Sequence, residues 1–289
     1  MNNFNFVGVK KKKNYFEGWF LRVFDNEDNC YSFIFGISLN KNDPHSFIQI
    51  IDQNEKKSYY HKFNVSDFTY NNNEITIGKN ILSTSKLKLS VSNFNADINI
   101  KPMTFLKNKL GVMGFFKYFF LPTRHEIIFM NSKIEGLIKN SRINGNGYME
   151  KDLGTRFPKK WLWIQCNCFK KKNVSLVIAK ANLISNIKGF FAFLNIGGKE
   201  YCFATYNCSK IENSRDKNNI NLVLKSRKYK VKIELKYANG YELIAPTKKA
   251  KMIKKIEESL KSTLKLSLYE KNKLLFSDEG INVACEYLY

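Results

Sequence analysis

The sequence predicts a mainly β protein, a sandwich or barrel, with one helix near the C-terminus. Short runs that alternate apolar and polar residues recur about every ten residues, which is typical of such folds. Asn, Lys, Gly and Asp residues separate these runs, as expected of turns. The 24 Phe and 15 Tyr residues can fill a core, and with only 5 Pro residues the composition argues against disorder.

The strand candidates fall into two groups along the chain. The first group comprises residues 31–37, 47–51, 74–77, 86–91 and 96–100. The second comprises residues 174–181, 189–195, 201–206, 220–224 and 230–235, and the chain closes with runs 263–269, 273–276 and 282–287. Turn residues near 140–146 predict a boundary between an N-terminal β domain, residues 1–142, and a C-terminal β domain, residues 143–289.

One helix is expected over residues 248–260, inside the second domain. Thr247 can cap its first turn. Ile253, Ile256 and Leu260 follow the i, i+3, i+7 spacing of an apolar helix face, and lysines occupy the other faces. This helix is expected to pack over the end of a barrel.

The net charge of +23 comes from 48 Lys and Arg residues against 25 Asp and Glu residues. Lys and Asn are abundant in ordinary turns and Arg is scarce, so the charge indicates solvated faces. A nucleic-acid partner is not expected, because such proteins favour Arg for bidentate contacts. No apolar run approaches the ~18 residues of a membrane span, and the N-terminus has no leader-like apolar stretch, so we expect a cytoplasmic protein.

No metal site is expected from the His and Cys residues. The three His residues are scattered without metal-ligand spacing, and the six Cys residues form no CxxC pair. Cys166 and Cys168 lie on an apolar strand face and are interpreted as small core residues.

Residues 147–168 (GYMEKDLGTRFPKKWLWIQCNC) are the most informative stretch of the chain. Because side chains alternate faces along a strand, the side chains of Tyr148, Glu150 and Asp152 should share one face of the first run. In the second run one face should carry the side chains of Trp161, Trp163, Gln165 and Asn167. Indoles, carboxylates and amides on shared faces suit a pocket that holds an apolar ligand and can give it a proton.

Four blocks of the chain resemble the tocopherol cyclase family. They are YFEGWF at 15–20; the segment from Met113 through Leu121-Pro122 to His125 and Met130; GYMEKDLG at 147–154 with the following FP, W-x-W and QCN; and residues 243–260. The third block is the most specific, since many identities in one order rarely arise by chance. Leu153, where the family usually has Trp, and Thr123-Arg124 before His125 depart from the family pattern.

The resemblance implies a two-part lipocalin-like (calycin) β architecture, shared with carotenoid hydratase-type proteins. It also implies a cofactor-free reaction in which a prenylated hydroquinone, or a related isoprenoid lipid, closes a ring by adding its phenol oxygen across a side-chain double bond. The predicted function also includes a related proton-driven isomerisation or hydration. The rival hypothesis is a non-catalytic carrier of an apolar small molecule.

Such chemistry needs a proton donor. Asp152 is the first candidate and Glu150 the second, because like-charge proximity and burial favour the protonated form of one carboxyl group. Turn chemistry at Asp152-x-Gly154 and pairing of Glu150 with lysine are the structural alternatives. Glu17 is expected to share a face with Trp19 and to line the pocket or to be a hydrogen-bonded core residue.

The remaining candidates would hold or orient the substrate. Trp19, Trp161 and Trp163 are the only tryptophans and can stabilise a cation, although aromatic core packing is the more usual role. Tyr148 is expected beside them, Gln165 and Asn167 can hold ring oxygens or cap a barrel end, and His125 can deprotonate the phenol or be structural. A Lys-rich surface beside Phe115, Phe116, Phe119 and Phe120 suggests peripheral contact with an anionic membrane. The sequence leaves the oligomeric state open.

Overall fold

A computed structural model describes residues 4–11, 13–25, 27–92, 94–184 and 187–289. The chain divides into two compact units. The first contains residues 1–111, 121–157 and 241–256, and the second contains residues 112–120, 158–240 and 257–289. The chain therefore leaves and re-enters each unit.

An antiparallel sheet of eleven described strands forms the first unit. The strands are β1 (Phe16–Asp25), β2 (Cys30–Leu39), β3 (Pro44–Asp52), β4 (Lys57–Phe63), β5 (Phe68–Asn71), β6 (Glu74–Ile77), β7 (Asn80–Ser83), β8 (Lys86–Val91), β9 (Phe94–Thr104), β10 (Thr123–Ile138) and β11 (Ser141–Gly154). Their order is β4-β3-β2-β1-β11-β10-β9-β8-β7-β6-β5. Long β11 thus lies between β1 and β10 at the middle of the sheet.

The second sheet is also antiparallel. Its strands are β12 (Trp161–Cys166), β13 (Val174–Ile184), β14 (Ile187–Ile196), β15 (Lys199–Ala204), β16 (Lys210–Asp216), β17 (Asn219–Lys225), β18 (Tyr229–Lys236), β19 (Tyr241–Thr247), β20 (Lys251–Glu270) and β21 (Lys273–Leu288). Their order is β15-β14-β13-β12-β21-β20-β18-β17-β16, with β19 paired to β20.

Each sheet curls around its own core. In the first unit, residues near both ends of the strand order, such as Ile50 of β3 and Ile75 of β6, join Trp19 and Met149 in one buried cluster. In the second unit, Leu194 of β14 and Leu222 of β17 share a cluster with Ile164. One face of each sheet therefore encloses an apolar interior, which confirms the predicted mainly β, lipocalin-like fold.

All thirteen predicted strand runs lie in strands, except that the run 201–206 continues two residues beyond β15 into a short 3₁₀ turn, Thr205–Asn207. The other described helical turns are Gly8–Lys10, Val65–Asp67, Gly114–Tyr118 and Lys248–Ala250, all of the 3₁₀ type. Among the residues that the structure describes, no helix has the length and apolar character needed to cross a membrane.

The predicted helix over 248–260 is wrong. After a short 3₁₀ turn this segment enters β20, where Ile256, Glu258 and Leu260 are buried while Ile253 is 54% exposed. The period-2 pattern of the following Leu264, Leu266 and Leu268 extends backward through the segment and decides its structure.

The predicted boundary between residues 142 and 143 falls at the start of β11, within the first unit. The Asn and Gly residues there belong to the β10–β11 hairpin, whose turn places Lys139 and Asn140 at positive φ. Turn residues mark hairpins within a sheet as readily as they mark domain boundaries.

Candidate functional site

Strands β10 and β11 bring together a buried polar group, here called the His125 cluster and made of His125, Tyr148, Glu150 and Asp152. The antiparallel register sets His125 opposite Asp152 and Ile127 opposite Glu150. Because residues 148, 150 and 152 alternate along β11, their side chains share one face, as the sequence predicted. The register then places the imidazole between the two carboxylates.

The imidazole of His125 contacts both carboxylates. Its Nδ1 lies 3.0 Å from Asp152 Oδ1, and its Nε2 lies 3.1 Å from Glu150 Oε2. The hydroxyl of Tyr148 donates a hydrogen bond to the same oxygen of Glu150. The side chains are 12% exposed for His125, 7% for Glu150 and 23% for Asp152, so Asp152 is the most accessible of the three.

The two carboxylates hold the imidazole in its charged form. Burial alone lowers the pKa of His125, but Glu150 and Asp152 raise it more, so the pKa stands well above the usual 6.5. Burial and the Glu150 carboxylate also raise the pKa of Tyr148 well above its ordinary value, so its hydroxyl keeps its proton. At neutral pH the cluster is an imidazolium between two acids, a unit that can store and redistribute a proton.

The backbone around the His125 cluster departs from regular pairing. The β10–β11 register shifts between Ile127 and Phe129, two residues beyond His125, and such bulges re-aim side chains beside functional sites. Gly154 ends β11 with φ of +152°, and a Cβ there would lie 2.1 Å from the Pro122 carbonyl oxygen. Only glycine allows this close approach at the entry to β10.

The neighbouring strand β1 leaves room beside Asp152. Gly18 is the register partner of Asp152 and is half-buried, although Glu17 and Trp19 on either side are fully buried. A Cβ at Gly18 would meet only Ile34 and the Phe35 carbonyl, at ordinary contact distances of 3.7 and 3.9 Å. The most accessible acid of the cluster therefore lies next to a position that has no side chain.

A second polar group lies on the opposite face of the same strands and is called here the Glu17 cluster, made of Tyr15, Glu17, Glu126 and Lys151. Lys151 Nζ lies 3.2 Å from Glu17 Oε1 and 3.2 Å from Glu126 Oε2. Tyr15 donates to Glu17 Oε2 at 2.6 Å. Because Lys151 precedes Asp152 and follows Glu150, it points to the other face of β11, so the two clusters are back to back.

The Glu17 cluster fixes the N-terminal segment. Both oxygens of Glu17 accept hydrogen bonds from the Val7 amide, and Oε2 also accepts one from Gly8. Lys151 donates to the Asn5 carbonyl, and the indole of Trp19 donates to the Phe4 carbonyl. Burial raises the pKa of Glu17 against the opposing effects of Lys151, Tyr15 and Val7.

The sequence predicted Glu17 and Trp19 as pocket residues together with Tyr148, Glu150 and Asp152. The structure places Glu17 and Trp19 in the core of the first unit, on the opposite face from the acids, where their hydrogen bonds serve the N-terminal segment. Trp19 also lies under Lys151, with Nζ 5.7 Å from the ring centroid. This arrangement corresponds to the hydrogen-bonded core alternative for Glu17.

The other predicted binding residues lie in the second unit. Trp161, Trp163 and Gln165 occupy β12, and Asn167 follows it; all four are buried and share a face, opposite Leu162, Ile164 and Cys166. Gln165 donates to Asn167 at 3.2 Å, and the Trp161 indole donates to Glu286 of β21.

Sequence reasoning missed Lys151, Glu126 and Glu286 as partners. Alternation along β11 places Lys151 on the core face, where a buried lysine requires a carboxylate partner. This requirement is the signal in the sequence from which an ion pair at Lys151 could have been predicted. The identity of the partners depends on the pairing of β11 with β1 and β10, which the local sequence does not encode.

The nitrogen and oxygen atoms of His125, Glu150 and Asp152 lie within 4.8 Å of one another, a donor set that fits a divalent cation by distance. However, the two carboxylates engage different ring nitrogens. A single cation can bind only one nitrogen of the ring, so binding would break one of these contacts. The bridged geometry suits a shared proton better than a metal ion.

Comparison with known proteins places this geometry in context. Residues 126–286, more than half of the chain, match the family described as Tocopherol cyclase-like. No curated protein sequence matches the chain.

Two solved structures resemble it over nearly their whole length. A putative AttH from Nitrosomonas europaea has 11% identity, covers 95% of this chain and 93% of its own, and gives a TM-score of 0.55. Kievitone hydratase from Nectria haematococca has 12% identity, covers 98% and 93%, and gives a TM-score of 0.53. At these identities the likeness shows the fold alone. The family match, by contrast, covers the strand that carries Tyr148, Glu150 and Asp152, and by its extent this chain belongs to the tocopherol cyclase-like family.

Proposed function

We propose that the first unit catalyses acid-promoted addition to an isoprenoid double bond, with ring closure of a prenylated quinol as the leading reaction and hydration or isomerisation as related outcomes. The observation that carries the proposal is the imidazole of His125 held between two buried carboxylates. Membership of the tocopherol cyclase-like family and a structural neighbour named as a hydratase support it. Cyclisation and hydration share the same first step, protonation of the alkene.

In the proposed reaction the proton comes from the pair of His125 and Asp152: the imidazolium passes its Nδ1 proton to Asp152 Oδ1, 3.0 Å away, and Asp152 delivers it to the alkene. Asp152 is the most accessible acid of the cluster, and its register partner Gly18 has no side chain that would cover it. Protonation of the alkene gives a tertiary carbocation and leaves a carboxylate on Asp152. The neutral ring of His125, 3.0 Å away, stays positioned to take up the next proton through that carboxylate.

Ring closure restores the acid. The phenol oxygen attacks the carbocation, and the phenol proton returns through Asp152 to His125, which restores the imidazolium, so the reaction is a net isomerisation. Attack by water in place of the phenol gives the hydrate. Glu150 and Tyr148 hold the far edge of the imidazole and keep it oriented toward Asp152.

This scheme changes the role expected for His125. A base must begin without a proton, whereas the raised pKa of His125 keeps the ring protonated at neutral pH. We therefore propose that His125 holds the proton at the start of the reaction and that the phenol proton returns to it through Asp152.

The proposal is tested by incubating the purified protein with a short-chain prenylated hydroquinone and analysing products by mass spectrometry. A product of unchanged mass with a new ring indicates cyclisation, and a gain of one water indicates hydration. We expect Asp152→Asn to lower turnover at least about 100-fold, the size typical of general acid catalysis. Asp97→Asn, which changes an exposed acid on β9 of the same unit, is the matched control and should retain full turnover.

Gly18→Val separates binding from chemistry. A valine should cover the approach to Asp152 and raise KM; its Cβ meets only ordinary contacts, and an unchanged urea midpoint checks that the fold is kept. Turnover by Asp152→Asn within threefold of the wild type would refute the proposal. If the protein instead binds the ligand tightly without forming product, and Asp152→Asn changes the affinity by less than about tenfold, or ~1.4 kcal/mol, the protein is a carrier.

A further inference from the structure

The segment 112–120 of the second unit exposes a group of aromatic side chains. Phe115 is 45% exposed, Tyr118 77%, Phe119 57% and Phe120 86%. Large apolar side chains are normally exposed singly, and a contiguous group marks an interaction surface. We call residues Phe115–Phe120 the aromatic knuckle.

The aromatic knuckle has a buried base. Val112 is 4% exposed, and Gly114 has φ of +56°. A Cβ at Gly114 would lie 2.4 Å from the Tyr206 ring, so the backbone packs directly on that ring. The ring of Phe115 lies 4.6 Å from that of Phe116 and 6.5 Å from that of Tyr206. The exposed rings are therefore presented from a packed turn.

Charge along the chain indicates what covers the knuckle. From residue 98 to residue 125 the sequence contains no Asp or Glu, but it contains Lys101, Lys107, Lys109, Lys117 and Arg124. The whole chain carries a net charge of +23. Within the second unit, the segment 112–120 carries Lys117 and no acidic residue, and a surface of exposed rings beside a basic side chain is complementary to one that is apolar inside and negative outside.

The same stretch concentrates exposed apolar residues. Seven of the fifteen large apolar side chains that are exposed among the described residues lie between 103 and 120. Lys117 extends over the Tyr118 ring, with Nζ 5.1 Å from the centroid. Tyr combines an apolar ring with a polar hydroxyl, and this combination is enriched at membrane–water interfaces.

We propose that the aromatic knuckle docks on an anionic lipid surface, with Phe119 and Phe120 entering the apolar layer and Lys117 remaining among the headgroups. An isoprenoid lipid dissolved in the membrane would then lie close to the docked protein. The docking proposal does not depend on catalysis, because lipid binding is measured without turnover.

The test uses flotation of the full-length protein with vesicles of phosphatidylcholine alone or mixed with phosphatidylglycerol. We expect binding to the mixed vesicles at low ionic strength, weaker binding at high salt, and little binding to phosphatidylcholine alone. The double variant Phe119→Ser, Phe120→Ser should bind at least about tenfold less, because it removes the apolar part of the interaction. The matched control, Leu274→Ser with Leu275→Ser, removes two exposed apolar residues of β21 and should bind as the wild type does.

Phe120→Trp gives a direct signal. The three native tryptophans are buried, at 0%, 6% and 5% exposure, so in Phe120→Trp the new indole should dominate any change in tryptophan fluorescence when vesicles are added. A blue shift of the emission with phosphatidylglycerol vesicles supports insertion. No binding by the wild type at low salt, or equal binding by the Phe119 and Phe120 double variant, would overturn the proposal. A dimer that the double variant abolishes, without lipid binding, would do so as well and would assign the knuckle to self-association.

Discussion

Replacing His125 by glutamine removes the cation between Glu150 and Asp152 and leaves two nearby acids in a mostly buried site. Each contact joins opposite charges about 3 Å apart, a gross attraction of roughly 5 kcal/mol at an effective dielectric constant near 20. Desolvation offsets much of this, and removing one partner of a buried ion pair typically costs about 3–5 kcal/mol. We therefore expect His125→Gln to lower the free energy of unfolding by about 3–5 kcal/mol at neutral pH.

The penalty should depend on pH in a defined direction. Because folding raises the pKa of His125, its contribution to stability is fully present below the unfolded value near 6.5 and is lost as the pH rises through the folded value. The difference between the proteins should thus be present near neutrality and shrink as the pH rises through the folded pKa of His125.

Urea unfolding followed by tryptophan fluorescence at several pH values measures this effect. His61→Gln is the matched control, since His61 of β4 is half-buried and burial lowers its pKa. Its contribution is present above about pH 6.5 and lost as the pH falls, so its removal should show the opposite trend. An unchanged urea midpoint for His125→Gln at neutral pH, or identical pH profiles for the two variants, would refute the reasoning.

Three further predictions concern the Glu17 cluster, β20 and the metal question. Lys151→Met should lower the free energy of unfolding by about 3–5 kcal/mol, since it leaves buried Glu17 without its cation. The same variant should be cleaved faster by trypsin within residues 4–11; unchanged stability and unchanged cleavage would contradict this prediction. In thermal unfolding, Leu260→Ala should lower the free energy of unfolding by about 2–5 kcal/mol, because Leu260 is buried, and Ile253→Ala should change it by no more than about 0.5 kcal/mol. If the segment were the predicted helix, both residues would lie on its apolar face and both substitutions would have similar effects. Dialysis against a chelator should leave turnover unchanged, and a loss restored by a divalent cation would show that the His125 cluster holds a metal.

Local alternation was sufficient to predict which side chains share a face. Period-2 spacing alone predicts one shared face for Tyr148, Glu150 and Asp152 and another for Trp161, Trp163 and Gln165. The structure has both of these faces. The same rule applied across residues 251–268 predicts β20. The helix prediction failed because Ile253 and Leu260 also satisfy helical spacing, and the buried even-numbered positions only become evident when the pattern is read through Leu268.

Long-range partners could not be predicted from local patterns. The contact of Glu17 with Val7 and Lys151 depends on the pairing of β1 with β11, and the contact of His125 with both acids depends on the register of β10. The resemblance to a known family supplied the site residues and the fold type, but it did not assign Glu17 and Asp152 to opposite faces of one sheet. That assignment required the strand order.

The central claim is that Asp152 transfers a proton to a carbon atom of an isoprenoid substrate. Running the reaction in D₂O measures this transfer directly, because a deuteron delivered to an alkene carbon does not exchange back. The account predicts one carbon-bound deuterium per product molecule for the wild type and for Asp97→Asn, and at least about 100-fold less labelled product for Asp152→Asn. Bound substrate that acquires no carbon-bound deuterium, or labelled product formed at wild-type rate by Asp152→Asn, would contradict it.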